Sequence, residues 1–233
     1  MNAETMDLEQ LARYLRRDVR EVSKLANRGR LPGRKVAGQW RFSRTEITHW
    51  LETQLPDYSE EELENLEGQP HNEEPELLIC GMMRKACTAV PLQASTKSSV
   101  LHELVATAER SWQVYKPETL LDALKLREES LSTALENGVA VPHPRRILPN
   151  AFGESLIAYG RTFSGIPFGA PHGQLTDIFF LLCCRDDQTH LRTLARLSRL
   201  LLRPDFIDDL RVAETTAETL AVIEAAERDV VGL

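Results

Sequence analysis

Glu136-Asn137-Gly138-Val139-Ala140-Val141-Pro142-His143-Pro144-Arg145 ends a short apolar run on a histidine held between two prolines. Val141 and His143 each precede a proline, whose ring disfavours helical geometry in the residue before it, so the backbone is expected to run extended and stop abruptly. Asn137-Gly138 is a turn signal ahead of the run, and a period of two puts Val139, Val141 and His143 on one face. An imidazole at the end of a strand on a stiffened backbone suits nucleophilic or acid–base work, because its ordinary pKa of about 6.5 lies near neutrality.

Outward from this stretch, helical and strand-like patterns alternate. Val100, Leu101, Leu104, Val105 and Ala108 recur at helical spacing behind Thr96, and Pro117 opens a second helix through Leu120, Leu121, Leu124 and Leu126. Strand-like runs are expected at Ala89–Leu92, Val139–Val141, Leu156–Arg161 and Ile178–Cys184, with further helices at Leu191–Leu202 and Thr216–Glu227. Helices interleaved with short buried strands predict an α/β sandwich.

The segment Leu126 to His143 resembles the active-site region of enzyme IIA domains of the bacterial phosphotransferase system, type 2, the fructose, mannitol and nitrogen-regulatory kind. Arg127-Glu128, Ser132-Thr133 followed by Asn137-Gly138, and Val141-Pro142-His143 carry the likeness. Gln174–Leu182 resembles the buried strand of that family, and Asp187-Gln188-Thr189-His190-Leu191 its second-histidine segment. The likeness covers roughly Leu77 to Leu233. It implies a mixed-sheet α/β sandwich with flanking helices. It also implies that His143 accepts a phosphoryl group on a ring nitrogen from the phosphocarrier HPr or its nitrogen-branch counterpart, that His190 is the second active-site histidine, and that Arg127 is the cation near the phosphate. A neutral imidazole needs no separate base to act as a nucleophile, and a cation neutralises the added charge. Residue 144 is proline where many relatives carry glycine, which removes one N–H; Arg145 and Arg146 add positive charge nearby.

Residues 1–56 follow a second plan. Asp7 is an N-cap signal for a helix over Leu8–Leu15; Asp18 with Glu21 predicts a capping box for another, ending at Gly29. Ala37-Gly38 between Arg34-Lys35-Val36 and Gln39-Trp40-Arg41-Phe42 predicts a two-residue hairpin. A third helix opens near Ser43 and is expected to bury Ile47, Trp50 and Leu51. The pattern resembles an excisionase-like, MerR-like winged-helix DNA-binding domain, carried by Leu8–Leu15, Arg28-Gly29-Arg30-Leu31-Pro32 and Lys35–Phe42. That likeness implies a second helix in a major groove, with Arg20, Ser23, Lys24, Asn27 and Arg28 as candidate DNA contacts, and Arg34, Lys35 and Arg41 on the wing.

Charge divides the chain the same way. Residues 1–56 hold 11 Lys and Arg against 7 Asp and Glu; residues 57–76 hold no bases and 9 acids; residues 77–233 hold 17 bases and 19 acids. A head of +4 is modest for a nucleic-acid binder, so specific affinity calls for a dimer. The acidic stretch 57–76, poor in large apolar residues, is expected to be a flexible or marginally helical linker. No apolar run approaches a membrane span and no signal-peptide core is present, which predicts a cytoplasmic protein without membrane insertion. Cys80, Cys87, Cys183 and Cys184 lack paired metal-ligand spacing and are expected as free thiols, with no metal and no cofactor.

Together these features predict a phosphorylation-responsive regulator: a phosphotransferase-system phosphocarrier domain, an enzyme component if His143 is active, joined to a DNA-binding head. Two alternatives remain open at this level, a plain phosphocarrier passing phosphate to a sugar-specific IIB subunit and a non-phosphorylated sensor.

Overall fold

The computed structural model describes residues 5–68, 76–148 and 150–233. The chain divides into two compact units, Met1–Gln69 and Pro70–Leu233.

In the first unit, β1 (Thr5–Met6) leads into α1 (Leu8–Leu15) and α2 (Val19–Asn27), then β2 (Arg34–Val36), β3 (Gln39–Ser43), α3 (Arg44–Gln54) and α4 (Glu60–Glu67). Asp7 caps α1 in a reciprocal box with Gln10, and Asp18 caps α2 through the Arg20 N–H. Glu21 pairs with Arg17 at 2.9 Å. Leu11, Ala12, Leu15, Val22, Ala26, Phe42, Ile47 and Leu51 form the buried set. Trp50, expected in the core, is only half-buried, and Thr48 takes a buried place, bonded to the Tyr14 hydroxyl at 2.8 Å. The β2–β3 hairpin turns at Ala37 and Gly38, both with positive φ, the geometry that matches the natural twist of a two-residue hairpin. β1 adds a third strand beside β3.

Part of the stretch expected as a linker is helical. Ser59 and Glu62 build a reciprocal capping box that starts α4, and Leu63 and Leu66, spaced for one face, are buried. Two leucines and a cap suffice to order an eight-residue segment with five glutamates locally. Residues 69–75 of that stretch lie outside the described residues.

The second unit runs α5 (Leu78–Met82), β4 (Met83–Ala89), α6 (Lys97–Glu109), α7 (Pro117–Ser130), β5 (Val139–Ala140), β6 (Leu156–Ile166), β7 (Thr176–Cys183), α8 (Asp187–Leu201), α9 (Pro204–Val212) and α10 (Thr216–Val231). The sheet order is β4-β6-β7-β5; β4 is parallel to β6, β6 antiparallel to β7, and β7 parallel to β5. β7 is apolar on both faces, as a central strand between two layers must be. Phe179, Leu181 and Cys183 enter the core that α6 and α7 cover, and Ile178, Phe180 and Leu182 alternate to the other face. Helix α10 packs on β4 and on α5, α8 and α9.

The first strand lies at Met83–Ala89 rather than at Ala89–Leu92, because the ladder stops short of Pro91, which has no N–H. Leu92 still bonds the Arg161 carbonyl at 2.7 Å. Cys87, Cys183 and Cys184 are buried and Cys80 partly so, all as free thiols. Among the described residues no helix is long and apolar enough to cross a membrane.

Candidate functional site

The Asn137-Gly138 turn forms as its residue types require. Gly138 takes φ +85, and the Asn137 side-chain carbonyl accepts the Val139 N–H at 3.3 Å. The chain doubles back into a small hairpin: Leu135 N–H bonds the Val139 carbonyl at 2.8 Å and Val141 N–H bonds the Thr133 carbonyl at 3.2 Å. On the other side β5 pairs with Ile178 and Phe179, and Leu182 N–H reaches the Pro142 carbonyl at 2.9 Å. His143 thus leaves the edge of the sheet from a backbone pinned on both sides.

His143 is 3% exposed, and its Nδ1 lies 2.7 Å from the Val141 carbonyl. A carbonyl only accepts, so this contact assigns the proton to Nδ1, and in the neutral ring the lone pair falls on Nε2. His190 stands in the first turn of α8, whose N-cap Asp186 accepts from the Thr189 N–H and hydroxyl at 2.8 and 2.7 Å. The two imidazoles come together with ring centroids 5.0 Å apart, tilted by 57°. The start of a long helix carries partial positive charge, which favours an anion beside it.

Arg127 sits in the last turn of α7, buried, with Nη1 donating to the Leu131 carbonyl at 2.6 Å. Its neighbour Glu128 turns inward and accepts from both donors of Thr133. Sequence reasoning named Glu128 and Thr133 only as parts of a motif; their joint role is visible in the hairpin they brace. A second brace was missed. Arg211 on α9 donates to Asp177 at 3.0 and 3.2 Å and to the Asn137 carbonyl at 2.8 Å, behind the turn. Hydrogen bonding to Asp177 holds that guanidinium above its usual pKa. Helix α9 had not been foreseen, so neither was its arginine.

The head candidates separate into two groups. Arg20, Lys24, Asn27 and Arg28 are exposed along α2, and Arg34 and Lys35 on the hairpin; Ser23 is half-buried. Arg41 is half-buried and engaged locally, donating to Gln39 Oε1 at 3.0 Å and the Trp40 carbonyl at 3.1 Å. Lys35 lies over the Trp40 ring at 5.1 Å, and Trp40 stacks on Phe42.

Residues 82–226 match the family described as phosphoenolpyruvate-dependent sugar phosphotransferase system, EIIA 2, and residues 5–55 match a helix-turn-helix domain. The chain belongs to the EIIA type 2 family. It is 32% identical over 136 residues to a nitrogen regulatory protein of Bradyrhizobium diazoefficiens, covering 57% of this chain and 85% of that one. It is 25% identical over 152 residues to the fructose-specific EIIABC component of Bacillus subtilis, spanning 64% of this chain and 24% of that longer protein. In fold it is similar to nitrogen regulatory protein IIA-Ntr from Neisseria meningitidis, with a TM-score of 0.56 at 23% identity over 63% of this chain and 99% of the other.

Proposed function

We propose that this protein is a cytoplasmic, phosphorylation-responsive regulator in which an EIIA-type body, residues 77–233, accepts a phosphoryl group on His143 and a winged helix-turn-helix head of the excisionase and MerR-like kind, residues 1–56, binds DNA. The observation that carries the reading is the His143 Nδ1 contact with the Val141 carbonyl beside the His190 ring. In this reading the Nε2 lone pair attacks the phosphorus of a phosphohistidine on an HPr-type donor. The new N–P bond forms as the donor's N–P bond breaks, and its electron pair returns to the donor imidazole. Nδ1 keeps its proton throughout, and the imidazole of His190, the Arg127 guanidinium and the start of α8 offset the incoming charge.

Phosphorylation adds roughly −1.5 to −2 charges at His143, enough to alter how two copies or the DNA engage the protein. Specific DNA affinity from a head of this modest charge calls for a dimer. Incubation with phosphoenolpyruvate, enzyme I and HPr is expected to give an acid-labile phosphate that disappears in His143→Ala. Absence of labelling in the wild-type chain refutes the transfer reading.

A further inference from the structure

We propose that Lys97 is a positioning residue for His143, acting through Glu128 and Thr133, an inference that rests on His143 being the phosphoacceptor. Lys97 opens α6. Its ammonium lies 2.9 Å from Glu128 Oε2, donates to the Glu128 backbone carbonyl at 3.1 Å, and stands over the Phe168 ring at 4.9 Å. The Glu128 side chain is 1% exposed, and a carboxylate so deeply buried needs both a counter-charge and hydrogen bonds. Lys97 supplies the charge. Thr133 supplies the bonds, its N–H reaching the two carboxylate oxygens at 3.2 and 3.3 Å and its hydroxyl bonding Oε1.

Gripped through both donors, Thr133 presents its carbonyl to the Val141 N–H at 3.2 Å. That rung matters more than an ordinary one. Residues 142 and 144 are prolines, so between Val141 and Pro144 only Val141 and His143 have an N–H to offer. The Val141 peptide therefore takes its hold on the hairpin side from Thr133, opposite the Leu182 bond to Pro142, and its carbonyl fixes the proton on His143 Nδ1. The relay runs Lys97, Glu128, Thr133, Val141, His143, and it couples the start of α6 and the end of α7 to the orientation of the nucleophile. Without the lysine, the buried carboxylate loses its counter-charge and draws in water, which competes with Thr133 for its oxygens.

The test is made on the full chain with its histidine rings labelled with nitrogen-15, reading the His143 tautomer by long-range proton–nitrogen NMR at a pH where the ring is neutral. Wild type is expected to hold the Nδ1–H tautomer; Lys97→Met is expected to mix both tautomers and slow phosphoryl transfer from HPr about tenfold. Lys97→Arg is expected to restore both, because it keeps the charge. Thr133→Val, which keeps the ion pair and removes the hydroxyl, is expected to mix tautomers as well and stands in for Lys97→Met if that variant does not fold. A variant, Lys97→Met or its stand-in, that retains a pure Nδ1–H tautomer and transfers within about twofold of wild type overturns the proposal. If the wild-type chain takes up no phosphate, the acceptor reading fails, and the tautomer comparison alone decides whether Lys97 sets the ring.

Discussion

Helix α8 carries His190 at its start, and its register is held by a buried ion pair whose removal has a calculable effect. Arg196 Nη1 lies 2.8 Å from Glu227 Oε1, with side chains 5% and 0% exposed, and also donates to the Glu76 carbonyl at 3.0 Å. Glu227 accepts the Ile79 and Cys80 N–H groups at 2.8 and 2.9 Å, so one carboxylate from α10 fastens α5 and α8 together. Arg196→Met removes the cation and leaves a buried carboxylate. Losing one partner of such a pair costs about 3–5 kcal/mol, and the two remaining N–H bonds put this case near the lower end, about 3 kcal/mol. For a domain of this size that lowers the thermal midpoint by roughly 6–12 °C. Unfolding followed by far-ultraviolet circular dichroism on the full chain measures it. Arg196→Met combined with Glu227→Gln is expected to recover part of the loss, because the charge is gone while an acceptor for Ile79 remains. A single variant that loses less than about 1 kcal/mol, or a double variant no better than the single, refutes the reasoning.

Gly138→Ala is expected to destabilise by about 1–2 kcal/mol, because the left-handed backbone at φ +85 resists a Cβ. That Cβ would also stand 2.5 Å from Arg211 Nη2 and 3.0 Å from Asp177 Oδ1, so an unchanged thermal midpoint would show the turn to be slack. Lys24→Ala is expected to weaken DNA binding by the full chain evenly across sequences and to reduce the slope of log affinity against log salt by about 1; an unchanged slope removes Lys24 from phosphate contact. Burial, and then the Glu227 carboxylate, lift the Cys80 thiol from 9.0 to about 12. Alkylation of Cys80 is therefore expected to be slow at mildly alkaline pH and faster in Glu227→Gln, whose neutral amide no longer opposes the thiolate; equal rates contradict this. The folded thiol holds its proton more tightly than the unfolded one, so its contribution to stability is full below 9.0 and fades as pH climbs toward about 12.

Much of this was legible because local rules and tertiary structure agree. Asp7, Gly29 and the Ala37-Gly38 turn do in the fold what their residue types predict, and Asp18 caps α2 although Glu21 turns to Arg17 in place of the expected capping box. His190 was legible from its motif and its place at a helix start. The misses share a cause. α4 lies in a stretch expected to be flexible or marginally helical for want of large apolar residues, yet two leucines and a capping box order its eight residues. α9 is short, and only its burial of Phe206, Ile207 and Leu210 makes it a helix worth forming. The roles of Lys97, Glu227 and Arg211 were not legible, because a single sequence does not say which carboxylate or cation waits many residues away. Each acquires its role only when the sheet brings distant segments together.

The strand leading to His143 lies at the rim of the sheet and is only two residues long. Rims of this kind invite other chains to add strands, and proteins commonly blunt them with proline. Here Pro142 and Pro144 withhold the amide protons that an incoming strand would seek, while the Thr133–Leu135 segment already occupies the two upstream rungs. A visiting protein can therefore meet this border through side chains without being stitched onto it.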